Sequence, residues 1–189
     1  MSRHPHPRHP VLRFARRFAV GRGGAAAVEF AMVALPFIAL IAAVIEVGMI
    51  FLVSTTLEDA TNYAARQVRI GALQTQSTTA TAAAFQATIC QRMAWLGNGC
   101  TSNLEVDVRT FSQFDGVTMT TPITSGVLQP QSALQFQLGG PGDIVLVRAY
   151  YPWHLFTPGL DGMTSQTSAG QVLITAATTF RNEPYPTTS

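Results

Sequence analysis

Residues 30–53 read FAMVALPFIALIAAVIEVGMIFLV, and Glu46 is their one charged residue. As a helix these twenty-four residues would extend about 36 Å at 1.5 Å per residue. A bilayer's hydrocarbon core is about 30 Å thick. Fourteen of them are Leu, Ile, Val or Phe. At about −0.3 to −0.6 kcal/mol each these favour insertion by on the order of 6 kcal/mol, against about +3 for one central acid. Insertion wins, even with Glu46 and Pro36 present. A buried core helix is the competing reading, and the flanking charge argues against it. Residues 1–24 hold Arg3, Arg8, Arg13, Arg16, Arg17 and Arg22 and no acid. The rest of the chain has six Arg against ten acids. A basic head beside an apolar run fits a cytoplasmic flank. The body lacks the basic patch that nucleic-acid binding needs.

Outward from this run, the helical pattern continues. Within STTLEDATNYAARQVRIG, Leu57, Ala60, Ala64 and Val68 share one face, and Gly71 can stop the helix. One helix from about Ala25 to Ile70 is expected, apolar all round at first and amphipathic later. The polar stretch GALQTQSTTATAAA reads as a linker. AFQATICQRMAWL repeats apolar residues at 85, 89, 93 and 96, a short second helix that GNGC should end. That segment contains Cys90 and Cys100. With the Arg-rich end inside, both lie beyond the anchor on the oxidising side, where disulfides persist. A bond between them would close a loop of about eleven residues and stabilise by roughly 3 kcal/mol through lost chain entropy. Two Cys without a nearby His make a poor metal site.

From Leu104 the period changes to two. In LEVDVRTF, Leu104, Val106 and Val108 alternate with Glu105, Asp107 and Arg109, which predicts a half-buried strand. GVTMTT and SALQFQL are weaker candidates. GDIVLVRAYYPW is a strong one, closed by Pro152, and GQVLITAATTF is the last. Strands that follow helices without alternation predict an α+β fold with an antiparallel sheet. The expected division is a basic leader at 1–24, a transmembrane helix at 25–54 and an extracytoplasmic domain at 55–189. The leader opens MSRHPHPRHPVL, where Pro density forbids a helix. Its three His form at most a metal-binding tract, and a disordered leader is the simpler reading.

The junction GRGGAAAVEF at 21–30 places a small-residue pair, Gly24 and Ala25, before the apolar run. A general secretory signal is cleaved after its apolar run. Cleavage here would remove the basic leader and leave the helix. Ala25 would then bear a new ammonium, with Glu29 about 6 Å along the helix axis. A carboxylate at an apolar border needs a partner, and that ammonium is the nearest one, on the same chain or a neighbour.

This order is that of a prepilin-type signal, and the chain resembles the TadE-like family of pilus assembly proteins from bacterial tight-adherence (Flp pilus) systems. The stretches that carry the resemblance are RGGAAAVEFAMVALPF at 22–37, IEVGMIF at 45–51, the pair Cys90 and Cys100, GDIVLVRAYYPW at 142–153 and RNEPY at 181–185. It implies a minor pilin or pseudopilin with a pilin-like domain, acting in fibre assembly or in its secretion apparatus. It implies trimming by a prepilin peptidase between Gly24 and Ala25, with Glu29 as the recognition and assembly glutamate. Phe30 stands where Flp-type prepilins commonly have tyrosine. The implied partners are the peptidase, other pilins or pseudopilins, inner-membrane platform proteins and membrane lipid, with no cofactor and no metal. The Asp-x-Ser-x-Ser motif of larger adhesive relatives does not occur.

Other readings compete at particular residues. An anchored adhesin or envelope scaffold with an uncleaved helix would share the topology. His154, with Asp143 or Asp161 and a Ser, could form a hydrolytic site, although no Gly-x-Ser-x-Gly motif is present. Glu46 either makes a polar contact between packed helices or is solvated near the outer headgroups. Within the C-terminal motif Arg181, Asn182, Glu183, Pro184 and Tyr185, the side chains of Arg181, Glu183 and Tyr185 either form a docking surface or tie down the C-terminus. Tyr150, Tyr151, Trp153 and Phe156 form either core and rim of the sheet or a binding patch.

Overall fold

The structure is a computed structural model, which describes residues 23–75, 80–116, 120–157 and 159–185. Most of the leader, residues 1–22, lies outside them, as do residues 117–119 of the GVTMTT stretch. The first helix, α1, spans Gly23–Arg69 without a break at Pro36. Residues 45–189 form one compact unit, and residues up to 44 cluster separately. Over the N-terminal half of α1, the apolar side chains from Val28 through Leu52 are largely exposed. Among the described residues one helix carries such an apolar surface, which suggests a single-pass membrane anchor. Further along α1 a stripe is fully buried: Val53, Leu57, Ala60, Ala64 and Val68. The amphipathic spacing therefore does what helical periodicity requires.

Gly71 stops α1 with φ +75, a left-handed conformation that suits glycine. The linker then departs from expectation, because Ala72–Thr75 forms a short turn of helix, α2. Next, α3 spans Ala82–Arg92, capped by the Thr81 hydroxyl accepting from the Ala84 N–H. It buries Phe85, Ile89 and Cys90. GNGC does not simply end this helix. After a short turn at Ala94–Leu96, Asn98–Asn103 forms α4 and carries Cys100. Cys90 and Cys100 are joined, with Cα atoms 5.6 Å apart. The bond clips α4 to α3, which is why the Gly-Asn-Gly turn leads into another helix rather than away from the domain.

The main sheet has strands β1 (Glu105–Phe111), β4 (Ile144–His154) and β5 (Gln171–Arg181), in the order β1-β4-β5 and antiparallel throughout. With the helices before it, the fold is α+β. β4 runs past Pro152 rather than stopping there. β1 pairs only as far as Tyr150, so Pro152 sits where one side of β4 has no ladder to supply. On one face, Val106 and Val108 of β1, Val145, Val147, Ala149 and Tyr151 of β4, and Ile174 and Ala176 of β5 join the α1 and α3 side chains in the core.

The opposite face overturns the half-buried reading of β1. Asp107 is fully buried and sits in register with Arg148. The segment from Thr120 to Leu138 meets them at Thr120 and at the Gln135 amide. Within it, β2 (Ile123–Thr124) and β3 (Val127–Leu128) form a hairpin absent from the expectations. Ser125 and Gly126 both have positive φ, the geometry of a two-residue type I′ turn. SALQFQL pairs with β1 at one point only, where Val108 exchanges backbone hydrogen bonds with Gln135 and Gln137. A short helical turn, α5, spans Asp161–Thr164 before β5.

Candidate functional site

Gly24 and Ala25 lie in the first turn of α1. Glu29 and Phe30 follow on the same helix, both exposed. Among the described residues Glu29 has no ionic partner. An exposed carboxylate flanked by apolar residues must find its counter-charge outside the described residues, or stay in water.

Glu46 differs sharply. It is 0% exposed. Its Oε1 accepts from the Phe156 backbone N–H at 2.7 Å and its Oε2 from the Thr157 N–H at 2.9 Å. This corrects the solvated reading, because a charge with both oxygens bonded and no exposed surface is not in the headgroup water. The partners are main-chain amides of the loop after β4, which no side-chain pattern announces.

The C-terminal RNEPY residues reach two places, the 138–142 loop and the end of α1. The Arg181 Nε donates to the Gly142 carbonyl at 2.9 Å. Asn182 is buried and its Nδ2 bridges the Leu138 and Gly140 carbonyls, both at 3.0 Å. The Glu183 N–H donates to the Arg69 carbonyl at 2.8 Å, and its carboxylate pairs with the Arg69 guanidinium at 3.1 Å. One orphan carbonyl of the helix end is thereby satisfied. Pro184 then carries the chain to Tyr185, whose ring lies against Gly71 and whose hydroxyl donates to the Gly139 carbonyl at 3.1 Å. Burial pushes the Tyr185 hydroxyl above its ordinary pKa, with a smaller contribution from Asp143. The contacts of Glu183 and Tyr185 tie this stretch to the end of α1 and the turn after it.

The second buried charge cluster sits under the sheet. Asp107 accepts from the Arg109 Nε at 3.0 and 2.9 Å, from the Gln135 N–H at 3.1 Å, and from the Arg148 Nη2. Arg148 also donates to the Thr120 carbonyl at 2.7 Å. Tyr150 lies next to it, with the guanidinium over its ring at 5.6 Å. Burial raises the Tyr150 pKa to about 12; Arg148 opposes that rise, Asp107 adds to it and Arg109 opposes it. Tyr150 and Tyr151 are core, Trp153 is half-buried and Phe156 is exposed.

His154 is hydrogen-bonded to the Gln171 side chain, with its Nε2 2.7 Å from the Gln171 Nε2. Asp143 accepts from the Gly140 N–H, away from any role beside that imidazole. Among the described residues no group of three or more His, Cys, Asp or Glu is placed to hold a metal. Two groupings escaped the sequence reading: Glu46 with the amides at 156 and 157, and Asp107 with Arg148. In the first, Glu46 is visible as a charge in an apolar run, but its amide partners leave no trace in sequence. The second had one cue, an Arg in the middle of the most apolar strand, where an unpaired charge would be costly.

Residues 24–66 match the family model of TadE-like proteins. All of the matched residues lie on α1. The stretches at 142–153 and 181–185 fall outside the match. No curated protein and no solved structure matches the chain. The family match suggests involvement in pilus assembly and interaction with other pilus components.

Proposed function

With the TadE-like match of residues 24–66 as premise, we propose that the chain is a minor pilin or pseudopilin of a tight-adherence (Flp-type) system. Its leader faces the cytoplasm and its disulfide-bonded domain lies outside the inner membrane. A prepilin peptidase cuts between Gly24 and Ala25, and Glu29 then pairs with an N-terminal ammonium of its own or a neighbouring subunit. The proposal assigns it no catalytic residue. The observation that carries it is Glu29: an exposed acid, unpaired among the described residues, seven positions into an apolar helix that has six Arg before it and none until Arg66. The one-sided Arg distribution supports the orientation, and the Cys90–Cys100 bond is at home on the oxidising side.

Two substitutions separate the roles. Gly24→Val crowds the scissile carbonyl and should leave the leader attached. Glu29→Gln keeps the size and removes the charge, so the chain should still be trimmed but fail to support pili. Leaving the ammonium unpaired at a partly desolvated border costs on the order of 3 kcal/mol, roughly a hundredfold in association. Intact-mass analysis of membranes reads the cut directly. A mature chain starting at Ala25 is expected. A full-length chain in cells with an active peptidase would falsify the assignment and favour an uncleaved, anchored scaffold.

A further inference from the structure

The buried stripe of α1 does not begin at Val53. Seven residues earlier, on the same face, stands Glu46 at 0% exposed, between Ile45 at 55% and Val47 at 61%. At seven-residue spacing two positions fall on one side of a helix. Glu46 is thus the first fully buried residue of the seam that continues through Val53, Leu57, Ala60, Ala64 and Val68. What buries it is the loop that leaves β4 after His154. That loop carries Leu155, Phe156 and Leu160; Phe156 is 54% exposed although its own amide is held by the carboxylate.

On the face of α1 that packs against the domain, lipid is excluded from Glu46 onward, whereas Val47, Phe51 and Leu52 on the other faces stay exposed and would lie in the interfacial layer just beyond the hydrocarbon core. Counting back from Ile45 to Gly24 leaves twenty-two residues, which as a helix extend about 33 Å. That already spans a hydrocarbon core of about 30 Å. The residues after Ile45 are not needed for the crossing.

We propose that the outer lipid border falls at Glu46 rather than at residue 54, and that the loop around Phe156 rests on the bilayer there. Its ligand is the membrane surface: Phe156, with Leu155 beside it, enters the headgroup–acyl boundary, where exposed aromatic side chains are favoured. Glu46 is the positioning residue. At that depth an ionised carboxylate and two free amides would each be costly, and each removes the other's cost by hydrogen bonding. The latch fixes the loop against α1 at Glu46. The proposal rests on the anchor reading of α1 and extends it from the helix to the domain.

The test uses the full chain in phosphatidylcholine vesicles whose acyl chains are brominated at a shallow or a deep position. Trp95 and Trp153 are replaced by Phe, and a single Trp is placed by Phe156→Trp or, as a control, by Leu40→Trp. Trp at 156 should be quenched more by the shallow bromines, and Trp at 40 more by the deep ones. Quenching at 40 without quenching at 156 overturns the proposal and leaves the anchor standing; a second copy of the chain or another protein is then the better occupant of the loop. Absence of quenching at both positions overturns the anchor reading as well. Glu46→Ala should reduce quenching at 156 and speed hydrogen exchange of the Phe156 and Thr157 amides by about tenfold or more, since each loses a hydrogen bond to a charged group. Glu46→Gln, with one acceptor oxygen left, should protect one of the two amides. Unchanged exchange at both amides in Glu46→Ala refutes the latch.

Discussion

Replacing Asp107 by Ala tests how the covered face of the sheet is held. Asp107 is 0% and Arg148 4% exposed, and they face each other across β1 and β4. The substitution leaves the Arg148 guanidinium buried with only the Thr120 oxygens as acceptors. It also removes the acceptor of the Gln135 N–H and the partner of Arg109. Stranding one member of a buried pair costs about 3–5 kcal/mol. Whole-domain stability is about 5–15 kcal/mol, so the loss is a large share of it. With a urea slope of about 1–3 kcal/mol per molar, the unfolding midpoint should fall by about 2 M. The assay is urea unfolding of the full chain in detergent micelles, followed by fluorescence of the half-buried Trp153. The pair is then replaced together, Asp107→Leu with Arg148→Met, which fills similar volume without charge. This double variant should recover to within about 1 kcal/mol of the parent, because the desolvation cost disappears with the charges. An Asp107→Ala midpoint close to the parent's, or a double variant no better than the single one, refutes the argument that the cost is an unpaired buried charge.

Two further outcomes follow from the same geometry. Gly71→Ala combines strain at φ +75 with a collision between the new Cβ and the Tyr185 ring, and should destabilise by about 1–3 kcal/mol in the same urea assay; adding Tyr185→Ala should relieve the collision and leave the backbone strain. For Tyr150, burial first, with opposing Arg148, raises the pKa to about 12 from an ordinary 10.0. The neutral phenol is thus favoured by the fold, and its contribution to stability is complete below pH 10 and is lost as pH rises towards 12. Absorbance titration of the folded chain at the phenolate band should show a late-ionising tyrosine that Tyr150→Phe removes; an unchanged titration curve in that variant contradicts the assignment.

What the sequence determined by itself was local and periodic. Helical spacing at Leu57, Ala60, Ala64 and Val68 gives α1 its buried stripe, and the apolar run before it gives the exposed apolar surface that suggests an anchor. The end of α1 was legible at Gly71 because a positive-φ stop is a property of one residue type. Alternation in LEVDVRTF and the Val-rich run in GDIVLVRAYYPW placed β1 and β4, since a strand's pleat is written two residues at a time. The tertiary structure decided whatever depends on residues far apart in the chain. Alternation gives strand β1 a solvated face, yet Asp107 is buried, because Arg148, Arg109, Thr120 and the Gln135 amide close around it. Ser125-Gly126 carried a turn cue, but two-residue strands are too short for alternation to register. Likewise, GNGC contained the turn glycines, whereas the helix at Asn98–Asn103 exists beside a disulfide and a packed neighbour. Glu46 shows the limit most plainly. Its side chain was visible as one charge in an apolar run, but its partners are the backbone amides of Phe156 and Thr157, over one hundred residues away. Every residue except proline carries such an amide, so only the path of the chain could say which two would meet it.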